Sequence, residues 1–309
     1  MKVWNTYIHP RLVFGLDSIM LTKKDIHERS HYHKSVLKVM QNLPERTADA
    51  AVYTLSGQLP LESFIHSQIL VKLGSILRNG GIEKEICIRQ LLVKNNYSNS
   101  WFIFAKNILD FYELPSIVDL NIENIPSKLV WKKHIKEKLK KYWKLQVIEG
   151  SKDKSSLKHL DVKTVHNIWI NAGYNIISIM KASIKVKLLT EVYMLQTTRC
   201  KFSNRHISAS CPLCGSEDED KIHFILKCPD LASTRKYYID ELKSMLYEID
   251  HDVYVNIVSN VELFIQLILD VTSPCMPMVF QSSTALYNIE ALREDSVLHY
   301  TKKDVGEWK

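Results

Sequence analysis

Apolar residues recur at three- and four-residue steps through much of the first half of the chain. Leu61, Phe64, Ile65, Ile69, Leu73, Ile76 and Leu77 share one side of a helical wheel, and Gly80-Gly81 ends the run, so this segment is predicted to be a core-facing helix. Shorter patterns of the same period occupy residues 23–42, 45–56, 82–95 and 99–113, separated by Pro44, residues 57–60, Asn95-Asn96 and Leu114-Pro115. Nowhere does an alternating, strand-like pattern compete. Between Lys128 and Lys144 the helical period continues on a different surface: eight lysines stand against the single Glu137, with Trp131, Tyr142 and Trp143 interleaved. The period resumes near Val165, runs strongly from Ile176 to Leu195, and returns after Pro229 with Leu231, Tyr238, Leu242, Met245 and Leu246 on one side.

These elements predict an all-α protein, a multi-helix array with a small cysteine-histidine knuckle between two helices. The polar stretch GSKDKSSLKH at 150–159 is the best candidate boundary. It divides the chain into a helical domain at 1–155 and a second helical domain at 156–275 that contains the knuckle, with a weakly patterned tail at 276–309.

Composition narrows the function classes only modestly. The 309 residues, 46% of them hydrophobic, suffice for sizeable cores, and 41 Lys and Arg against 34 Asp and Glu leave a mildly basic chain. Nucleic acid is permitted but not demanded. No stretch reaches the ~18 apolar residues of a membrane span, and the start, MKVWNTYIHPRL, lacks the compact apolar region of a signal peptide. The expected compartment is therefore cytoplasm or nucleus, without a membrane partner, where thiols are free to bind metal.

The most specific chemistry lies in SCPLCGSEDEDKIHFILKCP, residues 210–229. Cys211 and Cys214 are two residues apart, eight residues lead to His223, and four more lead to Cys228. A Cys-x-x-Cys turn aims both sulfurs at one ion, a histidine and a cysteine from the following turn complete four ligands, and Gly215 suits the tight backbone. Three thiolates and an imidazole favour Zn2+, and four protein ligands leave no open position, which points to a structural site. Ordinary buried thiols, or a set in which Cys200 or His206 replaces one ligand, are the alternatives. A zinc deaminase is excluded by the order of its ligands and by the absence of the required glutamate. The intervening Glu217, Asp218, Glu219 and Asp220 repel phosphate, so nucleic-acid contacts near the knuckle are assigned to flanking cations: Lys201, Arg205, Lys227, Arg235 and Lys236.

LQTTRCKF followed by CPLCG, HFILKCP and LASTRKYYIDEL resembles the C-terminal cysteine-histidine region of LINE-type, non-LTR retrotransposon reverse transcriptases. WNTYIHPRLVFGLDSI, LPERTADAAVYTLSGQLPLESFIH and SWFIFAKNILDFYELPS are similar to the thumb-like and connector polypeptide that follows the catalytic palm, and VELFIQLILD to the closing segment. The resemblance spans most of residues 4–270. It implies that Cys211, Cys214, His223 and Cys228 are the family's zinc positions, and that the region helps hold element RNA and target DNA during target-primed reverse transcription. It also makes an intact reverse transcriptase, acting in trans, a candidate partner. Such polymerases need adjacent aspartates for two metal ions, and no Asp-Asp occurs here. Fingers, palm and endonuclease are likewise unmatched, so the expectation is a non-catalytic C-terminal third of a larger ancestor.

Within the basic segment, Lys132, Lys133, Lys136, Lys140 and Lys144 fall at near-helical spacing, suited to following an RNA or DNA backbone while Trp131 and Trp143 anchor the helix or stack on bases. A solvated lysine face with both tryptophans in the core is the competing arrangement, and burial of the tryptophans decides between them. His27, His31 and His33 lack the neighbouring ligands of a second metal site and are expected on a helix surface.

Overall fold

A computed structural model describes residues 4–122, 125–152, 165–204, 206–273, 275–277 and 280. The protein is all-α, 71% helical and without strands among the described residues. The helices are α1 (His9–Val13), α2 (Lys23–Met40), α3 (Asp49–Ser56), α4 (Leu61–Asn79), α5 (Gly81–Val93), α6 (Trp101–Phe111), α7 (Ile117–Ile122), α8 (Lys128–Lys152), α9 (Asn167–Asn171), α10 (Ile176–Leu189), α11 (Gln196–Phe202), α12 (Ala232–Ile249), α13 (His251–Ser259) and α14 (Val261–Leu269). Most of them sit where the apolar period predicts.

Two elements differ from expectation. The helix predicted over 176–195 stops at Leu189, because Glu191 turns the chain at φ +56° and the N–H groups of Glu191 and Val192 bond back to Leu188 O and Lys187 O, closing the end. The basic helix instead runs on past Lys144 to Lys152, through the start of the expected linker. The rest of that linker, and the tail beyond Phe280, lie outside the described residues.

The chain divides into two compact units, Met1–Leu37 with Gln58–Gly150, and Lys38–Gly57 with Ser151–Lys309. The division falls near residue 150, but Lys38–Gly57 belongs to the second unit rather than to the expected 1–155 domain. Its hydrogen bonds explain why. Asn42 donates to Ser183 Oγ at 2.9 Å, Arg46 to Val192 O at 2.8 Å, and Leu55 O accepts from the His166 N–H at 3.1 Å.

In the first unit the predicted stripe of α4 is the core: Leu61, Ile65, Ile69, Leu73 and Leu77 pack with Ile108 and Leu109 of α6 and with Trp131, Ile135 and Leu139 of α8. Burying a large aliphatic side chain contributes about 1.5–3 kcal/mol, so this cluster dominates the unit's stability. At Gly74 α4 approaches α8 so closely that an added Cβ would fall inside the Trp131 indole. Thr22 and Asp25 exchange side-chain bonds with each other's backbone N–H and start α2.

In the second unit side-chain caps fix the short helices. Asn175 accepts from Ile177 N–H, Asp250 from Asp252 and Val253, and Asn260 from Glu262 and Leu263. No single described helix is long and apolar enough to cross a membrane. The apolar pair α13 and α14 is bent by 106°, and Phe264 to Leu269 of α14 are buried.

Candidate metal centre and candidate nucleic-acid surface

The cysteine segment folds as two short turns that face each other. Backbone bonds from Cys211 N–H to Glu217 O at 2.8 Å and from Glu219 N–H to Ala209 O at 2.9 Å tie the chain into a hairpin, with an isolated antiparallel bridge between Ser210 and Asp218. The Cys-x-x-Cys turn is held inside it. Gly215 donates to Cys211 O at 2.8 Å with φ +66°, a left-handed conformation that side chains other than Asn or Asp resist. The second turn, His223–Lys227, is a π turn, in which Cys228 N–H reaches His223 O at 2.8 Å. In an α-helix, positions five apart point about 140° away from each other. The wider turn reduces that angle and brings His223 and Cys228 toward one point.

The result is a single group. One ligand atom each from Cys211, Cys214, His223 and Cys228 lie within 4.8 Å of one another. Tetrahedral zinc, with ligands at about 2.3 Å for sulfur and 2.0–2.1 Å for nitrogen, places sulfurs about 3.8 Å apart and sulfur and nitrogen about 3.5 Å apart. Here Cys211 Sγ and Cys228 Sγ are 3.9 Å apart, and Cys214 Sγ and His223 Nε2 are 3.4 Å apart. The donor set and its spacing therefore fit a metal ion of zinc's size. Neither Cys200 nor His206 joins the group.

The acidic loop is the part that sequence reasoning missed. Glu217 Oε2 lies 3.2 Å from His223 Nδ1, an arrangement that keeps the proton on Nδ1 and turns the Nε2 lone pair to the thiols. Asp220 Oδ1 accepts from His223 N–H at 2.6 Å. Glu219, buried, accepts from Gln196 N–H at 2.7 Å at the start of α11. Three of the four acids expected to repel phosphate thus build the knuckle. The unbroken run Glu217–Asp220 carries no signal that separates these roles. Burial pushes the Cys211 thiol up to about 11, whereas hydrogen bonds from Ser216 pull Cys214 down to about 6, nearer the thiolate that a metal binds.

The cations flanking the knuckle separate into two kinds. Lys227 and Lys236 are exposed, as is Lys201. Arg235 is not: it is buried, and its Nη2 donates to Cys228 O, so it braces the last ligand instead of facing solvent. Its assignment as a surface phosphate contact is corrected accordingly. Arg205 lies outside the described residues.

On α8 the stripe Trp131, Ile135, Leu139 is buried, and at about 100° per residue the opposite face carries Lys133, Lys136 and Lys140, all exposed, with Lys132 exposed beside them and Lys144 half-buried. Lys133 pairs loosely with Glu137 at 4.0 Å, both exposed. Trp131 is 1% exposed, and its indole N–H donates to Leu70 O at 3.0 Å, so it is a core anchor rather than a base-stacking platform. Trp143 is half-buried and donates to the Tyr112 hydroxyl at 2.8 Å, beside Tyr142. Trp131 is therefore withdrawn from the lysine face into the core, whereas Trp143, half-buried, stays at the angular edge of that face near Lys132 and Lys136; for Trp131 the core arrangement holds and base stacking is corrected. The physical cause is the four-residue step Trp131–Ile135–Leu139, which assigns Trp131 to the apolar stripe.

His27 and His31 are exposed, but His33 is fully buried, stacked on Trp4 at 5.3 Å between ring centres with His9 nearby. It is a core side chain, not a surface one, and burial holds its pKa down to about 3.

No family model, no curated protein and no solved structure matches the chain.

Proposed function

We propose that this chain is a non-catalytic helical module, clasped by zinc in its second unit, that holds RNA or single-stranded DNA along the lysine face of α8, and that it descends from the C-terminal region of a non-LTR reverse transcriptase. The observation that carries the binding surface is the exposure of Lys132, Lys133, Lys136 and Lys140 along a helix anchored by Trp131, Ile135 and Leu139. Rows of ammonium groups displace counterions from a phosphate backbone. With Trp131 in the core, the contact is to the backbone and sequence-independent. Zinc is favoured over other ions by three sulfurs, one imidazole and tetrahedral spacing, and four protein ligands give a clasp, not a reaction centre.

Fluorescence anisotropy of a labelled 20-nucleotide RNA across several salt concentrations tests this. The expected result is salt-sensitive binding that weakens at least tenfold when Lys132, Lys133, Lys136 and Lys140 are replaced by Glu. Unchanged binding by that variant rejects the lysine face.

A second reading, a scaffold with no nucleic-acid role, is favoured by the withdrawal of Trp131 and by the inward use of Glu217, Glu219 and Asp220. It expects a folded, metal-loaded protein whose RNA affinity is no greater than that of any equally basic surface.

A further inference from the structure

Beside the knuckle the second unit carries a groove of about 420 Å³, within the range of small-ligand clefts. Its charges are of one sign. Arg235, Lys236 and Lys243 line it, and no carboxylate does. Between them lie Leu226 of the π turn, Ile239 of α12, Val258 of α13 and Phe264 of α14, an apolar floor contributed by four elements. Arg235 is the unusual member. It is 7% exposed, its Nη2 is committed to Cys228 O, and its Nη1 is buried without an acceptor among the described residues. A guanidinium buried with no carboxylate partner among the described residues is costly, and an anion held in the groove beside it lowers that cost through space, without contacting the buried Nη1.

We propose that this groove is a nucleotide subsite: the phosphate meets Lys236 and Lys243 beside the buried charge of Arg235, and the flat face of the base lies on Leu226, Ile239 and Val258. Lys236 and Lys243 present ammonium groups to the phosphate, the buried Arg235 adds positive charge beside them, and an aliphatic floor accepts any base without reading its edges. The proposal rests on the nucleic-acid reading above and extends it to the second unit, where a single nucleotide of a bound strand is held next to the metal clasp.

Isothermal titration of AMP and UMP into the full, zinc-loaded chain tests it, with inorganic phosphate and decanoate as comparison probes. Both nucleotides are expected to bind, phosphate at least tenfold more weakly, and Lys236→Glu/Lys243→Glu to lower nucleotide affinity at least tenfold. Both lysines lie outside the buried core, so that variant keeps its fold; the charge-transfer absorption of a cobalt-loaded sample checks this. Absence of nucleotide binding, or binding untouched by the double substitution, overturns the proposal. Equal affinity for phosphate overturns its base-binding part, and tighter binding of decanoate reassigns the groove to a carboxylate on an alkyl chain. The groove is read with mononucleotides and α8 with a 20-nucleotide RNA, so either conclusion fails without the other.

Discussion

Helix α8 of the first unit and the Cys211–Cys228 knuckle of the second both concentrate charge within a few turns of chain, and they spend it differently. On α8 Lys132, Lys133, Lys136 and Lys140 lie exposed away from a core stripe, and Lys133 pairs only loosely with Glu137. In the knuckle Glu217, Glu219 and Asp220 turn back onto His223 and α11, and Arg235 turns onto Cys228. A charge run on a long helix is therefore a surface, because the helix already satisfies its own backbone. A charge run in a short, strand-poor loop is scaffold, because exposed N–H groups there have few other partners.

The sharpest way to test that contrast is to remove the metal. Structural zinc is coupled to folding by on the order of 10 kcal/mol, so Cys214→Ser or chelation should unfold the second unit while the helices of the first remain. Limited proteolysis with circular dichroism reads this, and equal loss in both units would show that they do not fold separately. Next comes the core of the first unit. Trp131→Ala should cost about 3–5 kcal/mol and lower its urea midpoint. The complementary substitution Gly74→Ala should also destabilise, by overpacking against the indole. Neither should change the visible spectrum of the cobalt-loaded knuckle, whereas a change would tie the two sites together.

Acid offers a smaller and reversible version of the same test. His66 is buried, with Nδ1 2.9 Å from the Tyr112 hydroxyl, and burial pushes its pKa down to about 4 from an ordinary 6.5. The unfolded chain therefore takes up its proton first as pH falls. The neutral histidine's stability is fully present above pH 6.5 and is progressively lost toward pH 4, by at most about 3 kcal/mol. His66→Gln, which keeps a hydrogen-bonding side chain without the titration, should flatten the urea midpoint of the first unit across that window; an unaltered pH dependence would remove His66 as its source. Smallest of all is the lysine quadruple variant, which should move stability by no more than about 0.5 kcal/mol per substitution, about 2 kcal/mol in all, while changing RNA affinity.

Where the sequence was readable, local geometry was sufficient. The ligands follow from Cys-x-x-Cys and the His-to-Cys step because each pair is closed by one turn, and α4 follows from an unbroken apolar stripe. What was not readable depends on partners distant in the chain or on choices among equals. Lys38–Gly57 joins the second unit through Ser183 and Val192, more than a hundred residues away, which no local period encodes. Four neighbouring acids look alike until one of them meets His223 Nδ1. Arg235 differs from Lys236 only in which side of α12 it occupies. Trp131 stood between the two arrangements, since the apolar period placed it in the core and the surrounding lysines on a surface, and its burial decides for the period.

The extent of α8 also sets a ruler. From Lys132 to Lys144 the helix rises about 18 Å at 1.5 Å per residue. At about 3.4 Å between phosphates of a stacked strand, that rail accommodates roughly five phosphates. Five contacts to a single strand correspond to a salt slope no steeper than about −3.5, and lengthening the strand beyond that footprint adds further copies of the protein along it rather than a steeper slope for each.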